Sequence, residues 1–252
     1  MWNNVQAAPE DAILGLTEAF KKDPRPGKIN LGVGVYKDEK GNTPILESVK
    51  IAEKRIIESQ NTKSYMPIAG EAVYGDEVQK MIFGSLCNRS ATIHTPGGTG
   101  ALRVASELLR QFSSKTIWVS NPTWANHNNI FAAAGLTVKE YPYYNPKTKD
   151  LDAEGFLAAL EKIPAGDCVL LHACCHNPSG VDLSAAQWKQ VAAIAAKNGW
   201  SALVDFAYQG FGESLEADRV GVEALLASGI DFFIASSFSK NFGLYRERTG
   251  AN

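Results

Sequence analysis

The feature that most constrains the fold is a series of short apolar runs separated by segments of helical periodicity. The runs are TIWVS (116–120), TVKEYPYY (137–144), CVLLHACC (168–175), SALVDFAY (201–208) and FFIASSFS (232–239). Strands that are apolar almost throughout are typical of parallel sheets buried on both faces, and alternation with helices places helices on those faces. The sequence therefore predicts an α/β fold, with a mostly parallel central sheet between two helical layers.

Three segments carry clear helical signals. PEDAILGLTEAFKKD (9–23) has an acidic start and a basic end, and PILESVKIAEKRIIESQ (44–60) repeats apolar residues at spacings of three and four. In SAAQWKQVAAIAAKNGW (184–200), Ser184 is a candidate N-cap and Gly199 a candidate C-cap. We therefore expect a helix to end at Gly199, directly before one of the predicted strands.

Composition excludes several classes of protein. The 252 residues are 45% hydrophobic and carry a formal net charge of −2, so the chain can bury a large core and has no charge excess that would favour nucleic acid or an anionic membrane. No apolar run is long enough for a membrane helix, and the N-terminus does not have the pattern of a secretory signal. The four cysteines lack the spacing of a disulfide framework, which favours a reducing cytoplasm.

Polar residues lie where the predicted strands end. Asn121, Asn177, Asp205 and Lys240 each follow or close an apolar run. Ligands of open parallel sheets bind beyond the carboxyl ends of the strands. These residues therefore predict a site at that edge of the sheet.

A glycine cluster, TPGGTGALRVASELLRQF (95–112), reads as a loop from Thr95 to Gly98 that opens into a helix. Free N–H groups at a helix start, with glycines that permit close approach, suit a phosphate. A plain glycine turn explains the stretch equally well. No Gly-Lys-Ser/Thr follows, and the segment before it is a poor strand, so neither a Walker loop nor a dinucleotide fingerprint is predicted.

Asp205, Tyr208 and Lys240 suggest one kind of cofactor. A carboxylate at the end of an apolar strand needs a partner, such as a cationic ring nitrogen, although a strand-end cap remains the alternative. A lysine attacks aldehydes only when its pKa is depressed by burial or positive charge. The serines beside Lys240, together with Arg248, could hold a phosphate. Pyridoxal phosphate would use all of these groups at once.

The segment HACCHNPSG (172–180) resembles a metal cluster at first sight. We expect His172, Cys174 and His176 to share one strand face, with Cys175 on the other. Adjacent cysteines cannot easily both bind one tetrahedral zinc, and no second ligand pair follows at a conventional spacing. Buried or supporting roles are therefore favoured over a metal site.

Several motifs in fixed order resemble those of the aspartate aminotransferases, which are pyridoxal-phosphate enzymes of fold type I. They are AAPEDAILGL, RPGKINLGVGVYKDEKGNTPIL, TKSY, TPGGTGALRVA, SNPTWANH, CCHNPSG, DFAYQGFG and SSFSKNFGLYRERTG, and the resemblance covers nearly the whole chain. It implies a three-layer large domain over residues 44–252, incomplete at its C-terminal end. Residues 1–43 would form an N-terminal arm and the start of a small domain.

The resemblance implies catalytic roles for four residues. Lys240 would form the Schiff base with the cofactor and move the substrate proton, and Asp205 would hold the protonated ring nitrogen. Tyr208 would donate to the ring oxygen, as would Asn177, and Trp124 would stack on the ring. Among other positions, Asn121-Pro122 and Asn177-Pro178 would be cis peptides, His127 and His172 would support the site, and Gly34, Trp124 and Asn177 would border the substrate.

The resemblance also implies how the phosphate is held and how the protein assembles. The phosphate ligands would be Gly98, Thr99, Ser237, Ser239 and Arg248. Tyr65, in TKSY, would reach the phosphate of a neighbouring subunit, which implies a homodimer with shared sites and no nucleic-acid or membrane partner.

The implied reaction is transamination between L-aspartate and 2-oxoglutarate, giving oxaloacetate and L-glutamate. The family's substrate-binding arginines lie beyond Asn252, so this chain alone is expected to be inactive. An aromatic-amino-acid aminotransferase shares every motif and remains an alternative, as does a non-catalytic binding chain on the same scaffold. A nucleotide-binding protein is disfavoured because this sequence contains neither a Walker loop nor a dinucleotide fingerprint.

Overall fold

In the computed structural model, which describes residues 12–30, 32 and 34–252, the five apolar runs form the parallel strands of one sheet. Its seven strands lie in the order β1-β9-β8-β7-β6-β2-β3. They are β1 His94–Thr95, β2 Thr116–Asn121, β3 Thr137–Pro142, β6 Cys168–His172, β7 Ser201–Phe206, β8 Phe232–Ser237 and β9 Gly250–Ala251. At one edge of the sheet, β9 pairs antiparallel with β8 on one side and with β1 on the other. A separate two-stranded ladder joins β4 Tyr144–Asn145 to β5 Asp150–Leu151.

The described helices are α1 Ala12–Lys22, α2 Glu47–Ser59, α3 Ala72–Phe83, α4 Gly97–Phe112, α5 Ala125–Ala133, α6 Ala153–Leu160, α7 Ala185–Asn198 and α8 Val220–Ser228. Helices α3 to α8 cover the two faces of the sheet. Along β6, Cys168 and Leu170 belong to one core cluster, with α4 and α5, whereas Val169 and Leu171 belong to another, with α3, α6, α7 and α8. This alternation confirms the predicted three-layer α/β class and explains why the strand is apolar throughout.

The predicted ends of α7 are confirmed. The Ser184 hydroxyl accepts a hydrogen bond from the Gln187 N–H, and the Gln187 side chain accepts one from the Ser184 N–H, which makes a complete capping box. Gly199 ends the helix in the left-handed conformation, with φ 74°. Both signals are local, which is why the sequence alone was sufficient to place them.

The glycine loop is shorter than predicted. Thr95 already belongs to β1, and α4 begins at Gly97, so the turn between strand and helix is centred on Pro96. The weak apolar character of the preceding residues hid β1, because a two-residue strand has no periodicity to detect. Both proline bonds named above, Asn121-Pro122 and Asn177-Pro178, are cis.

The expected alternation in HACCHNPSG is wrong. β6 ends at His172, and Cys175 has a left-handed backbone with φ 50°, so the two-residue period stops before the cysteines. Cys174 packs into the core cluster of α3, α6, α7 and α8, whereas the His172 and His176 rings contact each other, with centroids 4.2 Å apart. The three side chains therefore do not share one face.

The chain divides into two compact units, Met1–Pro44 and Ile45–Asn252. The sheet lies wholly in the second unit. The assignment of residues 1–43 to an arm and small domain, and of 44–252 to a large domain, stays a prediction. Among the described helices, none is long and apolar enough to span a membrane.

Candidate active site

The carboxyl ends of β6, β7 and β8 bring two of the predicted polar positions, Asp205 and Lys240, to the same edge of the sheet as His172. His172, the last residue of β6, pairs in register with Asp205 of β7, and Asp205 pairs with Ala235 of β8. The chain then leaves β8 at Ser237 and reaches Lys240 three residues later. Because the strands are parallel, these ends lie at one edge of the sheet, as the sequence predicted.

Asp205 lies at the centre of this edge with a nearly buried carboxylate. His127 Nε2 donates to its Oδ2 at 3.0 Å, and the Ala207 N–H donates to its Oδ1 at 3.1 Å. Burial acts to raise the pKa of Asp205, but the His127 hydrogen bond and the nearby positive charges act more strongly together and leave this pKa below its ordinary value. Asp205 is therefore an ionised group, available to a cationic partner.

Two further histidines lie behind this carboxylate. Burial lowers the pKa of His172 to about 3 and that of His176 to about 4, so both rings are neutral at physiological pH. His176 is held by hydrogen bonds with Ser120 and Ser179, whereas both nitrogens of His172 are buried without a hydrogen-bond partner. Together with His127 and Asp205, His172 forms the one trio in the described part of the chain whose spacing could suit a metal.

Lys240 lies over the Tyr208 ring, with Nζ 4.6 Å from the ring centroid. Burial lowers the pKa of Lys240, Asp205 opposes this effect, and the positive charge of Arg248 adds to it, for a net pKa below the ordinary value. Tyr208 is half-buried, and its pKa is raised by burial and by the Asp205 charge. Lys240 thus loses its proton more readily than a surface lysine does, as a nucleophile toward aldehydes requires.

Three hydrogen-bond donors, Ser237, Ser239 and Arg248, lie close to the start of α4. Ser237 and Ser239 are buried, and Arg248 Nη1 donates to Ser239 Oγ at 3.3 Å. Pro96 precedes the helix without any side-chain cap, and no acidic residue occupies its first turn. The free N–H groups, the hydroxyls and the guanidinium together suit a phosphate dianion.

Two glycines at the start of α4 leave space beside these donors. A Cβ on Gly97, whose φ is +76°, would lie 2.8 Å from Arg248 Nη2. A Cβ on Gly98 would lie 3.0 Å from the Cβ of Ser237. Side chains at these two positions would therefore occupy the space between the helix start and the β8 loop, where an anion would bind.

The remaining predicted site residues differ in their burial and in their contacts. Trp124 contacts His127 edge to face, with ring centroids 5.2 Å apart, and Asn177 is half-buried in the turn that follows His176. Thr99 is exposed in the first turn of α4, and Tyr65 is fully exposed. Gly34 belongs to the first unit, so its place beside the substrate stays a prediction.

Sequence reasoning missed two carboxylates that organise the loops bearing Asn177 and Tyr208. Asp182 accepts hydrogen bonds from the backbone N–H groups of Cys175 and His176, at 2.6 and 2.8 Å. Asp218 accepts three N–H groups from the loop after Tyr208. The glycines of DFAYQGFG were a signal for the second, because glycines in a loop often mark a close approach to the backbone.

The family model for aminotransferase class I and II matches residues 26–252. The chain is 50% identical to an aspartate aminotransferase of Haemophilus influenzae over 257 aligned positions, which cover 100% of this chain and 65% of the relative. An aromatic-amino-acid aminotransferase of Pseudomonas aeruginosa is 48% identical, over 98% of this chain and 63% of the relative.

A solved structure agrees with these relatives. The aromatic-amino-acid aminotransferase of Burkholderia pseudomallei, described as covalently bound to pyridoxal phosphate, superposes with a TM-score of 0.94 at 45% identity, over 100% of this chain and 64% of that one. The chain thus spans just under two thirds of the length of the proteins it matches. Since the family model covers most of the sequence, the chain belongs to the class I and II aminotransferases.

Proposed function

We propose that the protein is a pyridoxal-phosphate-dependent aspartate aminotransferase, which interconverts L-aspartate and 2-oxoglutarate with oxaloacetate and L-glutamate. The observation that carries the proposal is the convergence of an activated lysine, an ionised buried carboxylate and a phosphate-binding group at one sheet edge. The naming of the 50%-identical relatives as aspartate aminotransferases supports the choice of substrate.

The residues present fit this cofactor in three respects. The glycine-lined space beside Arg248 and Ser237 suits a phosphate. The Asp205 carboxylate, supported by His127, suits a cationic pyridine nitrogen. Lys240, lying over Tyr208 with a lowered pKa, suits an aldehyde. Asp205, Tyr208 and Lys240 are partly buried and Ser237 is buried, whereas Arg248 is exposed.

When bound, pyridoxal phosphate supplies an aldehyde that condenses with amines and a ring that withdraws electrons from the substrate Cα. We propose that Lys240 would carry the proton between the substrate Cα and the C4′ atom of the cofactor. Asp205 stays ionised and keeps the ring nitrogen cationic, while Tyr208 and Asn177 donate to the ring oxygen. Trp124 covers the ring, and Gly98, Thr99, Ser237, Ser239 and Arg248 bind the phosphate.

The test is a comparison of the full-length protein with its Lys240→Ala variant. We expect the natural protein to develop a visible absorbance band with pyridoxal phosphate, and borohydride reduction to leave the cofactor's mass on the peptide that contains Lys240. The variant should lose both signals. A reduced adduct on a different lysine in the natural protein would refute the assignment.

The second candidate is an aromatic-amino-acid aminotransferase, because a 48%-identical relative carries that name. Turnover of aspartate and of phenylalanine by the full-length protein separates the two proposals. A kcat/KM for aspartate that exceeds the value for phenylalanine supports the first, and the reverse order supports the second. If the chain from Met1 to Asn252 alone neither binds cofactor nor turns over either substrate, the non-catalytic reading applies to that fragment only.

We further propose a homodimer, supported by an unusual apolar surface. Helix α2 contains no buried residue, and large apolar side chains between residues 45 and 73 are exposed: Ile45, Leu46, Ile51, Ile56, Ile57, Tyr65, Met66, Ile68 and Val73. Exposed apolar patches of this kind mark interfaces. The mass of the full-length protein in solution should be that of two chains, and Ile56→Glu with Ile57→Glu should shift it toward one.

We also propose a cytoplasmic location, which the four free cysteines support. Cell fractionation tests it directly. Recovery of the protein with periplasmic or organelle markers would contradict it.

A further inference from the structure

We propose that Asp218 is a positioning residue that holds Tyr208 beneath Lys240. Asp218 lies in a short 3-10 turn, Ala217–Arg219, immediately before α8. It contacts neither Lys240 nor Asp205 in any hydrogen bond or ion pair of the described residues. Its action is therefore indirect, through the loop that follows Tyr208. The inference rests on the proposed function only for the role of the Tyr208 hydroxyl.

The Asp218 carboxylate is the centre around which that loop folds. Its Oδ2 accepts the N–H groups of Gly210 at 2.7 Å and Gly212 at 3.1 Å, and its Oδ1 accepts the N–H of Glu213 at 2.9 Å. The residue is only 5% exposed, and no ion pair to it occurs in the described part of the chain. A buried carboxylate needs such compensation, so the three donors account for its presence here.

The glycines of the DFAYQGFG motif are explained by this contact. A Cβ on Gly212 would lie 2.5 Å from Asp218 Oδ1, closer than any real contact. Gly210 has φ +95°, a conformation that side chains rarely adopt. The sequence between Tyr208 and Asp218 is therefore fitted to the carboxylate, whereas the site residues themselves do not require glycine at either position.

The loop in turn fixes Tyr208 from its backbone side. The Tyr208 carbonyl accepts the N–H of Phe211 at 3.0 Å and the Cys174 thiol at 3.3 Å. Gln209, the next residue, is fully buried and donates to the carbonyls of Met81 and Leu215. The Phe211 ring contacts the Tyr208 ring edge to face, with centroids 6.5 Å apart. Because Asp218 holds Gly210 and Gly212 on either side of Phe211, loss of its bonds frees this segment and loosens the support of the Tyr208 ring.

The test compares Asp218→Asn with the natural full-length protein. Asparagine keeps the volume, but it removes the charge and turns one acceptor into a donor. We expect amide hydrogen exchange over residues 208–213 to be faster by about 10-fold or more, because charge-assisted hydrogen bonds are lost. This readout needs no cofactor. Unchanged exchange over that segment would overturn the proposal.

With pyridoxal phosphate bound, a hydroxyl that donates to the ring oxygen stabilises its anionic form, so its displacement raises the pH midpoint of the visible absorbance change. We expect Asp218→Asn to raise this midpoint by about 1 pH unit. Tyr208→Phe should raise it likewise, and the double variant should equal Tyr208→Phe alone. Additive shifts in the double variant would overturn the inference.

If even the natural protein develops no visible absorbance band with pyridoxal phosphate, the proposed function fails, while the hydrogen-exchange experiment still decides the role of Asp218.

Two matched variants separate positioning from general damage. Asp152 also holds a glycine N–H, that of Gly155 at 3.1 Å, as the N-cap of α6. Asp152→Asn should lower stability without moving the midpoint. Gly212→Ala should displace the Asp218 carboxylate and reproduce the shift of Asp218→Asn, although it leaves the acidic group in place. A midpoint shift with Asp152→Asn equal to that of Asp218→Asn would show a merely structural effect.

Discussion

His127 Nε2 lies 3.0 Å from the Oδ2 atom of Asp205, and the two residues are 78 positions apart in the sequence. His127 is fully buried in α5, and Thr123 holds its other ring nitrogen at 2.8 Å. The imidazole is thus fixed from both sides and presents one N–H to the carboxylate. This contact, more than exposure to solvent, keeps a carboxylate ionised at the end of an apolar strand.

The first prediction concerns that contact. His127→Leu removes the hydrogen bond that opposes the effect of burial, so the pKa of Asp205 should rise. In the natural protein the pKa is lowered, so ionised Asp205 stabilises the fold above its unfolded pKa and this contribution is lost as pH falls. In the variant, whose Asp205 pKa is higher, ionised Asp205 stabilises the fold less. The difference in unfolding free energy between the two proteins should therefore be larger at about pH 7 than near pH 4.

Urea unfolding across this pH range measures the difference. His127→Gln, which retains an N–H donor, provides the control. Its unfolding free energy at about pH 7 should lie between those of the natural protein and His127→Leu. A difference that stays constant with pH would show that His127 acts on packing alone.

The parallel sheet could be predicted from the sequence because its central strands are buried on both faces and are therefore apolar throughout. In β6, for example, Val169 and Leu171 pack into one core cluster and Leu170 into the other. The sequence was also sufficient for Ser184 and Gly199 because caps are local. It could not supply the pairing of His127 with Asp205 by spacing alone, since that contact depends on how α5 packs against α4 and the sheet. The His127 position came only from the resemblance, which marked it as a supporting residue.

Asp218 shows a different limit of sequence reasoning. Nothing around it has a recognisable pattern, and its partners are backbone N–H groups, which every residue but proline carries. Only the two glycines upstream hinted at a close approach. The end of β6 was misjudged for a related reason: the apolar run continues through Cys174, although the hydrogen-bonded strand stops at His172. Hydrophobicity reports burial, and burial continues beyond the strand.

The second prediction concerns the neutral histidine behind Asp205. Burial lowers the pKa of His172 to about 3, below its unfolded value near 6.5. Below about pH 6.5 the unfolded chain binds a proton that the folded protein does not, so stability falls as pH falls, by up to about 1.4 kcal/mol per pH unit. His172→Gln should flatten this dependence. His94→Gln, outside the cluster, is the control, and an equal flattening there would contradict the assignment.

The third prediction uses two charges that act oppositely on Lys240. Arg248 lowers the pKa of Lys240 and Asp205 raises it. Arg248→Gln should therefore raise this pKa, and Asp205→Asn should lower it further. The pH dependence of Lys240 acylation in the cofactor-free protein, followed by mass spectrometry, reports both shifts. If the pKa of Lys240 shifted in the same direction in both variants, a change in the burial of Lys240 would outweigh the loss of the Arg248 or Asp205 charge.

Arg248→Gln should also weaken cofactor binding. Loss of charge-assisted hydrogen bonds to a phosphate corresponds to about 10-fold to 100-fold in the dissociation constant. Titration of the cofactor-free protein with pyridoxal phosphate measures it. Arg246, close in sequence and exposed, supplies the matched control as Arg246→Gln, which should bind like the natural protein.

The last prediction concerns two glycines with opposite expected effects. A Cβ on Gly250, in β9, would lie 2.6 Å from both the carbonyl carbon of Gly97 and the Ser236 oxygen. Both are backbone atoms that cannot rotate away, so Gly250→Ala must push β9 from β8 or from α4. We expect it to lower the unfolding free energy by about 2 to 3 kcal/mol.

Gly75 lies in α3, and a Cβ there makes only an ordinary contact, 3.4 Å from the Thr92 Cβ. Gly75→Ala should raise the unfolding free energy by about 0.5 to 1 kcal/mol, because alanine is the better helix former. Denaturant unfolding of both variants tests the pair. Because Arg248 is two residues before Gly250, Gly250→Ala should also weaken binding of pyridoxal phosphate, whereas Gly75→Ala should not. A stable Gly250→Ala protein with natural affinity would show that β9 need not lie this close to the start of α4.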